Sequence, residues 1–399
     1  MSRRYLIGLA AILMASQILI AQEASNPSPC IQVEPIKDPC KYAPSFNAPA
    51  VVDVTTESSW GSSLFTDVSF LYWHGSQEGL QLAVNGVFSP ILIPPANDAL
   101  SYLSPSTTPL IQSFDYHPGF KVGLGFVTDH QWQVRADYTW LRGSTSLNEN
   151  VPTALDQISG VDLTKYPSTG QPVWEIDAWF LQGSDGGQTL SGTNITSTWH
   201  YAIDFLDAVV SRPFYQGPSL AIDPFGGLRA TWIRQSLQVG LMEVSGMFSE
   251  PNTTQPIFSY NHSQSWGIGP KIGFDSSWLL PMGFRLEACV AADLIYTQYT
   301  KISHSEDAAS TGFNPGPYLT IIRDYDCLRT MAELGLGFGW GQYFACNKYH
   351  LDFSAAYDFT YMWRQNMMRV IVDEVRAGIG SAASDFFLHG LTLNGRFDF

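Results

Sequence analysis

The sequence predicts an all-β chain, a transmembrane antiparallel up-and-down β-barrel of about ten strands with long outer loops and a flexible N-terminal extension. Three observations predict it. Charged residues make up only 14% of the chain and aromatics another 14%, at a mean hydropathy of −0.02; soluble domains carry roughly 25% charge. From Leu64 to Phe399, apolar residues alternate with small or polar ones, as in a wall with one face in lipid and one in water. Short connections alternate with long ones, the asymmetry of outer-membrane barrels. A helical membrane protein needs runs of about 20 apolar residues, and the only long apolar run here is at the N-terminus.

That run, residues 1–21, reads as a signal peptide. Arg3 and Arg4 precede an apolar stretch from Leu6 to Ile20, and cleavage is expected after Ala21. Its removal leaves 19 basic against 36 acidic residues, a net charge of −17. Such a surface repels nucleic acid. Residues 22–60 are rich in Pro, Ser and Ala without a sustained period and read as a flexible periplasmic extension; residues 61–399 are the barrel. Export makes disulfides feasible for an odd set of five cysteines. Cys30 and Cys40 flank a Pro-containing stretch. They either pair with each other or, with Cys346 in a turn on the same membrane side, link neighbouring barrels. Cys289 is expected in the lumen and Cys327 near the outer rim.

Strands are expected to begin near residues 64, 113, 132, 197, 220, 264, 284, 328, 349 and 385. Phe120, Val122, Leu124 and Phe126 share a face opposite Gly119, Lys121, Gly123 and Gly125. Trp132, Val134, Ala136, Tyr138 and Trp140 lie opposite Arg135 and Asp137. Trp199, Tyr201, Ile203 and Phe205 are placed on the lipid side, against His200, Ala202 and Asp204. The same alternation carries Trp266 to Phe274, Phe284 to Leu294, Leu334 to Trp340 and Tyr349 to Trp363. A soluble sandwich also alternates, but Trp and Tyr here recur near strand ends, as interfacial girdles do. Phe397 and Phe399 close the last strand and resemble the aromatic signal read by the barrel-assembly machinery. Residues 75–112, 143–196, 241–263, 302–327 and 365–384 form long connections. Further hairpins within 75–112 (Leu80 to Phe88) or 143–196 would raise the count to twelve. Residues 143–196, with Trp174, Trp179 and Phe180, are the expected inward-folding loop.

Several stretches resemble the Legionella-type major outer membrane protein family, which is also abundant in chlamydia-like bacteria. They are Asp67-Val-Ser-Phe-Leu-Tyr-Trp73 with Glu78-Gly-Leu80, Pro118-Gly-Phe-Lys-Val-Gly-Leu-Gly125, and Pro224-Phe-Gly-Gly-Leu-Arg-Ala-Thr-Trp-Ile-Arg-Gln235. The resemblance implies a porin-like barrel in the bacterial outer membrane, with porin or surface roles and no catalytic residues.

A porin needs a water-filled, charged constriction. The expected lumen residues are Lys121, Arg135, Asp137, Asp204, Arg229, Lys271, Arg285, Glu287, Asp293, Glu333, Asp352 and Asp358. They either set a field across an open pore or pair with one another and plug a narrow barrel, since lumen width grows with strand number. The glycine files at 119/123/125, 267/269/273 and 335/337/339/341 leave interior space or permit strand curvature. The leading expectation is passive diffusion of small hydrophilic solutes; the alternative is a surface structural or adhesin barrel with a closed lumen. An enzyme is not expected, because the eight histidines are scattered without a shared motif. No metal, cofactor or nucleic acid is expected. Membrane lipid, the assembly machinery and, by analogy, further copies of the chain are the expected partners.

Overall fold

Hydrocarbon leaves no water for an unpaired backbone group, so a spanning sheet must close on itself. In the computed structural model this chain does so with ten antiparallel strands. The structure describes residues 63–87, 109–128, 131–150, 172–176, 190–217, 219–242, 256–308, 318–322, 324–344, 349–368 and 383–399. The signal segment, the extension and Cys30, Cys40 and Cys346 lie outside them.

The barrel strands are β1 (Ser63–Gln77), β2 (Tyr116–Val127), β3 (Gln133–Asn150), β4 (Asn194–Ser211) and β5 (Leu220–Met242). They continue as β6 (Ile257–Leu279), β7 (Phe284–Ala308), β8 (Tyr325–Phe344), β9 (Tyr349–Asn366) and β10 (Ser384–Asp398). Each pairs with its neighbours in the chain, and β1 pairs with β10 from Phe65↔Asp398 to Gln77↔Phe386, which closes the ring. Tyr215–Gln216 adds a short antiparallel pairing to β5, and Tyr318–Ile322 adds one to the upper end of β7.

Ten is thus the barrel count. The two regions that could have supplied further barrel strands form a separate four-stranded sheet instead. Its order is Pro109–Ile111, Gln81–Val87, Pro172–Ile176 and Leu190–Gly192. The connections on one side are short, such as 280–283; those on the other run from 77 to 116 and from 150 to 194. By the usual asymmetry the short side is periplasmic.

The outward face carries the large apolar side chains. Phe120, Val122, Leu124 and Phe126 are 41%, 40%, 68% and 40% exposed, so no second sheet covers them and the sandwich reading falls. Stacked aromatics lie toward both ends, Tyr72 on Tyr116 and Phe120 on Trp140 above, Tyr349 on Phe397 and Phe284 on Phe338 below. On β7 the apolar outer face runs from Phe284 to Tyr296. The full strand has 25 residues, about 60 Å of height at ordinary rise and tilt, against an apolar band of about 25 Å. The outer part of the wall therefore stands clear of the hydrocarbon.

One face assignment is reversed. On β4 the residues Trp199, Tyr201, Ile203 and Phe205 are 0–3% exposed and point inward, while Leu206 and Val210 are 43% and 40% exposed and face out. The even face stays apolar from Leu206 to Val210, so the strand crosses the bilayer on that face. Tyr201 fits inside because Gly75 and Gly143 face its ring. A Cβ at Gly75 would lie 2.8 Å from the ring, and one at Gly143 would collide with it.

Trp199 is expected to behave as a core residue. Trp199→Ala should cost about 3–5 kcal/mol, the usual range for a buried large aromatic, in urea unfolding of the folded barrel in micelles. Thr198→Ala on the opposite face should stay within about 0.5 kcal/mol. Equal, small effects would return Trp199 to the lipid face.

Candidate functional site

Side chains at alternate positions of ten strands converge on the barrel interior, and three layers fill it. At mid-height the centre is Arg229 on β5. Its guanidinium holds both oxygens of Asp207 on β4, Asp293 on β7 at 3.0 Å and Glu333 on β8. Lys271 on β6 joins at 3.1 Å to Asp207 and also holds Glu333. Arg229, Lys271, Asp207 and Asp293 are each 3–6% exposed. Two cations and three carboxylates thus tie five consecutive strands across the lumen. Such desolvated charges persist only because each has partners.

Toward the periplasmic side the interior stays charged but wetter. Asp137 pairs as an ion with Arg135 at 2.9 Å and with Lys121 at 3.7 Å, and those two bases are 28% and 35% exposed. Arg285 grips Asp352 and Glu287. Arg396 donates to Asp398 at 2.9 and 2.7 Å, and His350 Nδ1 lies 3.0 Å from the other oxygen of that carboxylate. Arg396 also covers the Phe65 ring at 3.8 Å. Asp358 accepts from Thr392. Gly123 leaves the space that Asp137 fills, since a Cβ there would collide with its carboxylate.

Toward the outer side the interior holds an apolar core, with buried Gln235, Ser263, Ser265 and Gln365 beside it. Leu71, Trp73, Leu141, Trp199, Tyr201, Ile203, Phe205, Leu237, Phe386 and Leu388 pack together. Leu80 and Leu82, which follow β1, enter from the first outer connection and are 1% exposed. Gln112 spans the gap above the short β2, donating to Thr145 at 3.1 Å and accepting from Ser197. Higher still, His304 contacts Asn261 at 2.6 Å and Glu306 at 3.0 Å, with the imidazole fully buried.

Eleven of the twelve lumen residues expected from the sequence therefore face inward: Lys121, Arg135, Asp137, Arg229, Lys271, Arg285, Glu287, Asp293, Glu333, Asp352 and Asp358. Asp204 does not. It lies on the outer wall with Tyr138, whose hydroxyl donates at 2.7 Å, and with Arg142 at 2.8 Å. The acid that takes its place inside is Asp207, three residues on and so of opposite parity. Among the described residues, the connection that enters the interior is the first outer one, through Leu80 and Leu82. Of the 143–196 region, Pro172–Ile176 lies in the small sheet; the side chains of Trp174, Trp179 and Phe180 are outside the described residues. Cys289 faces the interior beside Val209, Phe225 and Ala291, and both Cys289 and Cys327 are free thiols. Among the described residues no cluster of metal-ligand side chains occurs and no helix is long and apolar enough to cross a membrane, which says nothing of strands.

Among solved structures, the outer membrane protease OmpT of Escherichia coli aligns over 88% of this chain and 99% of its own, at 10% identity and a TM-score of 0.35. A Pseudomonas aeruginosa FadL homologue aligns over 85% and 90%, at 7% identity and a TM-score of 0.19. The Pseudomonas putida toluene transporter TodX aligns over 91% and 92%, at 7% identity and 0.19. No curated protein matches. The sequence model described as Legionella pneumophila major outer membrane protein precursor matches residues 62–399, which is the whole barrel. With its closed ring of ten strands and lipid-exposed apolar wall, the chain belongs to the Legionella major outer membrane protein family.

Proposed function

We propose that this outer-membrane barrel is a closed surface protein, whose tall outer wall and long connections present a structural or adhesive surface. The observation that carries the reading is the buried Arg229 network beneath a packed layer: a hydrated ion meets charges already paired, then space filled by Leu71, Trp199, Tyr201 and Phe386 beside buried Gln235 and Gln365. In this reading the protein is not an enzyme. His304 is sealed from solvent, and the interior charges serve packing rather than chemistry.

A second reading, passive diffusion of small hydrophilic solutes, is favoured by one specific observation. Lys121, Arg135 and Glu287 are 35%, 28% and 28% exposed and line a wet periplasmic half of the lumen. The plug above them includes a connection, not only wall, so displacing Leu80 and Leu82 would be the opening step. Export by a signal peptide ending at Ala21, and oxidation of Cys30, Cys40 and Cys346 within or between barrels, complete the proposal. The mature chain should then begin at Gln22.

Planar-bilayer recordings separate the two readings. The closed barrel gives no steady conductance, and Leu80→Ser with Leu82→Ser leaves it silent. Steady channels from the unmodified protein would overturn the closed reading. Channels from the double variant alone would establish the gated pore, and Arg135→Gln should then shift its ion preference.

The network itself is testable by stability. Arg229→Met leaves buried Asp207 and Asp293 and half-buried Glu333 with Lys271 alone, and should cost about 3–5 kcal/mol, as for other buried charges deprived of a partner. Urea unfolding in micelles measures this, and a change under about 1 kcal/mol would mean that water reaches the site.

A further inference from the structure

On the outer wall, a cluster of basic side chains sits where the apolar band ends. Arg142 on β3, Arg234 on β5 and Lys301 on β7 share one rung of the sheet, linked through Arg142↔Ala202↔Arg234↔Gln264↔Lys301. At a strand spacing of about 4.8 Å, the backbone positions of neighbouring members stand about 10 Å apart. His200 and His262 lie on the next rung up, on either side of Ser236. A groove of about 600 Å³ runs along these residues. The chain as a whole is strongly acidic, at −15, yet the acid at this site is Asp204, one rung below. Asp204 lies 2.8 Å from Arg142 and 3.7 Å from Arg234, so it aims two guanidiniums and neutralises one. Arg234 remains 56% exposed.

The position of Lys301 depends on a β-bulge. The β6–β7 register slips by one residue, with Gln264 opposite Lys301 and Ser265 opposite Tyr299. Thr300 is the extra residue, and its hydroxyl donates to the Gln264 carbonyl at 3.3 Å. Were the strand regular through Thr300, Lys301 would point inward, as Tyr299 does. Bulges re-aim side chains in this way.

The depth of the cluster identifies what it meets. Trp140, Trp232 and Trp266 lie one rung below Arg142, Arg234 and Gln264; a rung climbs about 3 Å per strand in a tilted barrel, so each Trp marks where its own strand leaves the apolar band, and Trp266 donates to Gln298 at 2.9 Å. Two residues of a tilted strand rise about 5 Å, which is within the headgroup layer of one leaflet. The long-connection side faces the outer leaflet. We propose that Arg142, Arg234, Lys301, His200 and His262 form a binding site for a phosphorylated lipid of the outer leaflet. Its phosphates sit on the cations, with the exposed Arg234 guanidinium suited to bidentate phosphate contact while Arg142 stays held by Asp204 and the Leu141 and Ile203 carbonyls, and its acyl chains lie on the aromatic wall below. A docked protein would have to enter the headgroup layer to reach the same groups. The site lies on the outside of the wall and so does not depend on whether the lumen conducts.

Native mass spectrometry of the full mature barrel in micelles tests this with two probes, bisphosphorylated lipid A and the same lipid stripped of both phosphates. The wild type should retain the phosphorylated lipid at least ten-fold better than the stripped one. Arg234→Gln with Lys301→Gln should lose at least ten-fold of that retention, while Lys121→Gln in the lumen should keep it. Heat-modifiable gel migration confirms that each variant is folded. Equal retention of both lipids by the wild type overturns the proposal, whatever the variants do. So does unchanged retention by the folded double variant.

Discussion

The hydrogen bonds between the first and last barrel strands are the constraint from which the rest follows. In lipid an open sheet edge would leave a row of bare N–H and C=O groups, each costing several kcal/mol. The ladder from Phe65↔Asp398 to Gln77↔Phe386 removes that edge, and so commits residues far apart in sequence to one ring. Closure at ten strands then sets the bore. A ring this narrow leaves its inward side chains facing each other across a short gap, and they must either hold water or fill the space.

The two halves of this interior answer differently. Near the periplasmic end, glycines and partly solvated charges share the space. At mid-height Arg229 gathers Asp207, Asp293 and Glu333, so that desolvation is offset by several charge-assisted bonds at once. Above it the inward faces of β1, β3, β4 and β10 turn apolar, and Leu80 and Leu82 complete the packing. The outer wall follows the opposite logic, apolar across the bilayer and polar above it. The same strand therefore carries lipid-facing leucines low down and water-facing serines and histidines high up.

Much of this was legible from alternation alone, because a two-residue period and a hydrocarbon solvent leave few ways to place Lys121, Arg135 or Arg285. The ten strands emerged from the same signal. What failed was parity where both faces are apolar. In β4 the inward Trp199, Tyr201, Ile203 and Phe205 look like a lipid face until the strand is followed to Leu206, Ala208, Val210 and the opposing Asp207. Nor does alternation predict where a connection goes: Leu80 and Leu82 carry no signal that they fold inward rather than extend a hairpin. The basic cluster was missed because Arg142 and Arg234 lie on the lipid-facing parity, where charge is unexpected until the wall is known to outrun the bilayer.

The single extra residue at Thr300 acts as a phase switch. Below it odd-numbered residues of β7 face inward, as Tyr299 does; above it the even-numbered Ile302, His304 and Glu306 do. A regular strand that kept Thr300 in its rhythm would swap inside for outside along the eight residues from Lys301 to Ala308, casting a buried imidazole and carboxylate outward while drawing an ammonium into the core. One bulge thus absorbs an odd residue and keeps the inward and outward faces of a single strand continuous from the bilayer to the wall above it.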